Sequence, residues 1–234
     1  MSATALELAI TGLPALPTGT GWAAIGLSYL LGAVPFGLVL VWVATRQDLR
    51  EVGSGNIGAT NAMRAAGKPI GIVSFLLDWA KGLVPVLVIA PWAFGSGDGA
   101  EPGEGLVALQ VACGAAAVLG HCFPIYLRLR GGKGVATACG ALAALDPVLL
   151  VVGGAAWLVT LVTTRYVGLA SIVMGLAFPL AAWWRADRAG GSEVLIGSSL
   201  LTLLILVRHR SNMARMLAGT EPKAGSKKTP GGDA

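Results

Sequence analysis

With 234 residues, 55% of them hydrophobic and only 12% charged, and a mean hydropathy of +0.73, the chain is far too apolar for a soluble domain and reads as a polytopic membrane protein. Its 17 Lys and Arg against 12 Asp and Glu leave a net charge of +5, but the basic residues form no continuous stripe with interleaved aromatics, so no nucleic-acid partner is expected. The three cysteines, Cys113, Cys122 and Cys139, are odd in number and lie in or beside apolar runs without close pairing, which argues against a zinc or redox site and for small buried apolar residues.

Residues 1–20 contain no Lys or Arg, so the basic n-region of a cleaved signal peptide is missing and the first apolar run is expected to be a retained helix. Windows of about twenty residues predict an all-α bundle with apolar spans near 21–45, 70–93, 106–125, 134–146, 147–164, 168–184 and 193–208, about seven transmembrane helices. The fourth is short. Asp146-Pro147 marks either a tight turn between the fourth and fifth or a kink in one long helix, and a five-span arrangement is the rival. No internal repeat of the kind common in transporters is present.

Loop charge sets the expected orientation, because Lys and Arg stay on the cytoplasmic side. Arg46, Arg50, Arg64 and Lys68 follow the first span, Arg128, Arg130 and Lys133 the third, Arg165 the fifth, and Arg208, Arg210, Arg215, Lys223, Lys227 and Lys228 the last. The other side holds Arg185 and Arg188 among Glu7, Asp98, Glu101, Glu104, Asp146, Asp187 and Glu193. The N-terminus is therefore expected outside and the C-terminus in the cytoplasm, with residues 1–208 as the membrane domain, 46–69 and 126–133 as cytoplasmic loops, 209–221 as a cytoplasmic motif and 222–234 as a disordered tail.

Three polar clusters fall on that one face. The first, GSGNIGATNAMRAAGK at 53–68, combines glycines, whose amides can turn inward as an anion-binding nest, with the neutral donors Ser54, Asn56, Thr60 and Asn61 and the charges Arg50, Arg64 and Lys68. The second, GHCFPIYLRLRGGKGVAT at 120–137, sets Gly131, Gly132 and Gly134 around Lys133 at the mouth of a helix, where free amides and the helix dipole favour an anion. It resembles a P-loop only superficially, since Gly134 stands where Ser or Thr should follow the Lys. A flexible basic interfacial loop is its bland alternative. The third, VRHRSNMARMLAGTEPK at 207–223, spaces His209, Asn212 and Arg215 by three so that they share a helix face, with a basic stop-transfer flank as the alternative. Within the second span, Asp78 and Lys81 are spaced to pair. Intramembrane charge is functional by default, as a catalytic pair or as a brace for the site. Small residues at Gly32, Ala33, Gly37, Gly114, Gly140 and Gly175 either open a groove between helices or allow them to pack closely.

Together these clusters resemble the three motifs of the bacterial membrane glycerol-3-phosphate acyltransferases that use acyl phosphate. The matches read SGNIGATNxxR, GHxFPxxxxxxGGKGVAT and HRxNxxRxxxGTE, with YLLGAVPFG at 29–37 and LLDWAKG at 76–82 fitting between them, over residues 28–222. Leu129, Arg130, Met213, Ala214 and Met216 depart from the commoner family residues. The resemblance implies transfer of a fatty acyl group from acyl phosphate to the 1-hydroxyl of glycerol 3-phosphate, giving lysophosphatidic acid and phosphate in the bacterial inner membrane, by a multi-pass, monomeric enzyme.

In that setting Ser54, Asn56 and Thr60, with the amides of Gly53, Gly55, Gly58 and their neighbours and the Asn61 donor, would hold one phosphate and position the reacting carbonyl. Arg64 and Lys133 would neutralise phosphate charge, and Gly131, Gly132 and Gly134 would let backbone amides approach. His209 and Asn212 would orient the acceptor beside Arg215, while Asp78, Lys81, His121 and Glu221 would brace the site. Neither His121 nor His209 has an Asp five residues on, so the usual His-Asp base of glycerolipid acyltransferases is missing. A mixed anhydride already carries a good leaving group, and substrate-assisted transfer is favoured over an acyl-enzyme on Ser54 or Cys122. No metal or other cofactor is called for, since Lys and Arg supply the counter-charge. A transporter of phosphate esters is the competing reading.

Overall fold

A computed structural model describes residues 19–96, 105–187 and 190–225. Among them every regular element is helical. The chain runs through α1 (Gly19–Ala33), α2 (Phe36–Thr45), α3 (Ala59–Ala66), α4 (Lys68–Val84), α5 (Ala90–Gly95), α6 (Leu106–Cys122), α7 (Val135–Leu145), α8 (Pro147–Thr164), α9 (Val167–Trp184), α10 (Gly191–Arg208) and α11 (Arg210–Leu217).

Six helical stretches are long and apolar enough to cross a bilayer: 19–45, 68–95, 106–127, 147–164, 167–184 and 191–208. The first is broken at Val34 and Pro35 because Pro35 has no amide to continue the ladder. The second carries a π-turn at Pro85–Ile89, and Gln110 of α6 donates to the Val86 carbonyl within it. The fourth expected span, at 134–146, is α7, as short as its apolar run: 11 residues, about 16 Å of helix against a hydrocarbon core of about 30 Å. Asp146 separates it from α8 as a turn rather than a kink, with an extended backbone and a side chain that accepts from the Val148 amide.

Most of the small residues considered for a groove serve packing instead. A Cβ on Gly32 would stand 2.1 Å from the Ala117 carbonyl oxygen, and one on Gly140 1.9 Å from that of Trp79. Gly37, Gly114 and Gly175 likewise face neighbouring helices, and Ala33 is buried. Backbone contact of this kind draws α1 onto α6 and α4 onto α7. The main core lies where α6, α7, α8, α9 and α10 meet, around Val118, Leu142, Leu149, Phe178 and Ile205. Exposed Trp22, Trp92, Trp183 and Trp184 sit at the bundle end remote from the three polar clusters, as interfacial aromatic anchors do.

The segment expected as a tail from 222 is tied down at its start, since the Ala224 amide donates to the Arg165 carbonyl and the Arg165 guanidinium donates to the Ala224 carbonyl. Residues 226–234 lie outside the described residues, as do the carboxylates Asp98, Glu101 and Glu104 of the loop expected outside, along with Glu7 and Arg188.

Candidate active site

The loop after α2 folds around Asn61. Its side-chain oxygen accepts from the Ser54 amide at 3.1 Å, while its amide nitrogen donates to the carbonyls of Leu49 and Val52 at 3.1 and 2.9 Å. Asn61 is 2% exposed, so its donors are spent on the loop itself, a bracing task where substrate contact was expected. Asn56 accepts from the Gly58 amide at 2.8 Å, and Gly53 and Gly55 take left-handed conformations that turn the chain. Held this way, Ser54, Asn56, Gly58, Thr60 and Arg64 face a common cavity. Arg64 makes no ion pair or side-chain hydrogen bond among the described residues.

The glycines of the second cluster do not act as expected at two positions. The Gly131 and Gly132 amides donate to the carbonyls of Cys122 and His121 at 3.2 and 3.0 Å, so neither is left for an anion. Gly132 is required by contact: a Cβ there would lie 2.0 Å from His121 Nε2. Arg208 donates from the other side to the carbonyls of Gly131 and Gly132 at 2.7 Å and stacks over the Phe123 ring. Gly134 adopts φ +78° as the N-cap of α7. The amides of Val135, Ala136 and Thr137 then lie ahead of the first helical bond, from Ala138 to Gly134, where helix amides are free for ligands.

Lys133 projects from this clamped loop. Its ammonium donates to the Asn212 side-chain oxygen. Asn212 in turn donates to Glu221 at 2.6 Å, and Glu221 accepts from Arg215 at 2.7 Å. Asn212, expected to orient an acceptor, thus joins Lys133 to Glu221. Burial lowers the Lys133 ammonium to about 8, with Arg215, Arg208 and Arg64 pushing the same way and Glu221 opposing them. His209, 2% exposed, is lowered to about 4, first by burial and then by Lys133. Its Nδ1 lies 2.8 Å from the Ile205 carbonyl, an acceptor, so Nδ1 carries the hydrogen and Nε2 keeps a lone pair.

Beneath the mouth, Asp78 pairs with Lys81 at 2.9 Å and lies 3.7 Å from His121 Nδ1, while Lys81 donates to the Val34 carbonyl at 3.0 Å. The His121 ring therefore sits between this buried pair and Gly132.

Residues from all three clusters border one cavity of about 1150 Å³. It descends from Ser54, Arg64, Lys133 and His209 to an apolar end with Trp79, Leu150, Trp157 and Met174. A basic cleft of about 240 Å³ adjoins it, bordered by Arg208, Arg210 and Ser211. Ser54, Asn56, Lys133 and Arg215 border both spaces and so stand between a basic recess and a long apolar slot. Cys122 is fully buried and borders neither. Among the described residues no group of three or more His, Cys, Asp or Glu is placed to hold a metal ion.

Sequence reasoning missed Arg208 as a positioning residue and the walls of the slot. Its adjacency to His209 in the third cluster was the available signal for Arg208, whereas the slot residues sit in ordinary apolar runs.

The glycerol-3-phosphate acyltransferase family matches residues 22–219 of the chain. The chain is 44% identical over 218 residues to a glycerol-3-phosphate acyltransferase of Dinoroseobacter shibae, covering 92% of this chain and 100% of that one. It is 43% identical to one of Pseudomonas savastanoi pv. phaseolicola, covering 86% and 96%. Among solved structures it is similar to PlsY (YgiH), an integral membrane glycerol 3-phosphate acyltransferase. The glycerol 3-phosphate form superposes with a TM-score of 0.77 at 38% identity, and the lysophosphatidic acid form with 0.74 at 36%, each covering 88% of this chain and 96% of the other.

Proposed function

The chain belongs to the glycerol-3-phosphate acyltransferase family, and we propose that this acyltransferase takes its acyl group from acyl phosphate and places it on the 1-hydroxyl of sn-glycerol 3-phosphate, giving lysophosphatidic acid and inorganic phosphate. The observation that carries this reading is the single cavity that joins a cationic, amide-rich mouth to an apolar slot. An acyl phosphate has that polarity: a dianionic head on a hydrocarbon chain. The adjoining basic cleft offers a second phosphate its counter-charge, and two phosphates are what such a transfer brings together. The similar solved proteins occur in glycerol 3-phosphate and lysophosphatidic acid forms, the acceptor and product of the proposed reaction.

In the transfer, the acceptor's 1-hydroxyl oxygen attacks the acyl carbonyl, the carbonyl carbon's bond to the phosphate oxygen breaks, and the hydroxyl proton passes to a phosphate oxygen. Arg64 and Lys133 offset the charge on the departing phosphate, and Ser54 with the amides near it positions the carbonyl. His209, lowered to about 4, is too weak a base to hold the proton at neutral pH. Its Nε2 serves to orient the acceptor hydroxyl. Direct transfer, with no acyl-enzyme, is supported by the burial of Cys122 and by the lack of any carboxylate or imidazole hydrogen-bonded to the Ser54 hydroxyl among the described residues.

The basic loops favour a mouth on the cytoplasmic face of the inner membrane, with the N-terminus outside. Cysteine-accessibility labelling tests this: residues 46–52 and the C-terminus should label from the cytoplasm and 97–103 from outside, and external labelling of the C-terminus would reverse the orientation. Proteoliposomes without donor should not accumulate glycerol 3-phosphate. Vectorial uptake under those conditions would sink the enzymatic reading in favour of a transporter.

A further inference from the structure

We propose that Gly154 of α8 sets the acyl-chain length this enzyme accepts, by leaving open the part of the slot that a long chain needs and a short one does not reach. The proposal rests on the reading that the slot holds the donor's acyl chain.

Gly153 and Gly154 are adjacent, yet only one is explained by packing. A Cβ on Gly153 would lie 2.4 Å from Phe178 Cε1, so that glycine lets α8 lie against α9. A Cβ on Gly154 would meet nothing within 4 Å, and Gly154 borders the large cavity. No protein atom demands a glycine there, whereas a ligand filling the slot would. In a helix a glycine without such a reason costs stability relative to alanine.

Depth makes the position discriminating. Gly154 lies about 15 Å from the Thr164 end of α8, and Trp79 about 16 Å from the Lys68 end of α4, at about 1.5 Å per residue. Both residues border the cavity, and the Thr164 end of α8 leads through Arg165 and Tyr166 into α9, where Gly168 packs against Asn212 of the mouth, so that Gly154 lies well along α8 from the mouth. Trp157 sits nearer the mouth on α8, about 10 Å down. A side chain added at 154 would narrow the slot from its α8 wall, away from the polar groups of the mouth.

The test is the ratio of kcat/KM for palmitoyl phosphate to that for octanoyl phosphate, measured on the purified full-length chain. A ratio taken on one preparation is insensitive to the folded fraction. It should fall stepwise through Gly154→Ala, Gly154→Leu and Gly154→Phe, by about tenfold or more at Phe, the scale on which an apolar slot discriminates chain size. A ratio that stays within about twofold of wild type across the series, whatever the loss of total activity, overturns the proposal alone. Wild-type protein inactive on both acyl phosphates overturns the donor reading, and the proposal with it.

Discussion

The Lys133 ammonium donates to the Asn212 side-chain oxygen, which fastens the loop before α7 to the C-terminal helix α11 inside the cavity. Through Asn212 the cation is linked to Glu221, and through Glu221 to Arg215. The position of the central cation is thus set by two segments distant in sequence, and its proton affinity by burial, which lowers it, against the Glu221 carboxylate, which raises it.

This linkage gives a pH dependence. Lys133 is lowered from 10.5 to about 8, and in the proposed transfer its protonated form is the one that faces phosphate, so kcat/KM should be level below that pH and fall as pH rises through about 8. Glu221 raises the Lys133 value, so Glu221→Gln should move the falling limb to lower pH. Lys133→Arg, protonated throughout, should remove the limb while restoring only part of the rate, because a planar fork does not reproduce a point charge. A limb unchanged in Lys133→Arg would assign it to another group. Stability runs the opposite way to activity: the unfolded chain binds the extra proton between about 8 and 10.5, so the penalty for burying this charge is relieved and stability rises as pH rises across that window.

Arg64 supplies the second cation. Arg64→Ala removes a charge-assisted hydrogen bond of about 1.5–3 kcal/mol, and kcat/KM should fall by roughly one to two orders of magnitude or more. Arg64→Lys should rescue poorly. Full activity in Arg64→Ala would remove it from the site.

Gly132→Ala probes the packing that aims Lys133. Its Cβ would enter the His121 ring, a buried group wedged above Asp78, and relief requires the loop to shift. A stability loss of about 1–3 kcal/mol is expected for overpacking of this kind, together with a fall in activity at least as large as that of Lys133→Arg. Wild-type kinetics in Gly132→Ala would show that the loop tolerates the shift.

Ser54→Ala separates positioning from covalent catalysis. The variant should be slow, and neither it nor wild type should show a burst of phosphate ahead of product. Wild-type protein mixed with acyl phosphate alone should yield no acylated peptide by mass spectrometry. A Ser54 or Cys122 acyl adduct that transfers to added glycerol 3-phosphate would replace direct transfer with a ping-pong scheme.

The convergence of the three clusters was legible in the sequence because glycine-rich polar stretches cannot sit in hydrocarbon and must gather at an interface or line a cavity. Hydropathy located the long spans for the same reason. It also marked the fourth span as short, and α7 has 11 residues within it. Residue type could not reveal how donors are spent. Asn61, Gly131 and Gly132 look like anion ligands in one dimension, yet their N–H groups are taken by the carbonyls of Leu49, Val52, Cys122 and His121, partners that only the folded chain brings near. Arg208 was counted as a topogenic charge, and its hold on the Gly131 and Gly132 carbonyls depends on α10 ending beside the second cluster. The groove glycines were ambiguous because close helix contact and open space call for the same residue, as Gly153 and Gly154 show side by side.

The most direct test compares donors on one purified preparation in the presence of EDTA, following lysophosphatidic acid formation from glycerol 3-phosphate with palmitoyl phosphate, palmitoyl-CoA or palmitoyl-acyl-carrier protein. Palmitoyl phosphate should support turnover, with one phosphate released per lysophosphatidic acid formed and release dependent on glycerol 3-phosphate, while the thioesters should give little or none. Equal or faster turnover with either thioester, or loss of the acyl phosphate reaction on chelation, would contradict direct, metal-independent transfer from acyl phosphate.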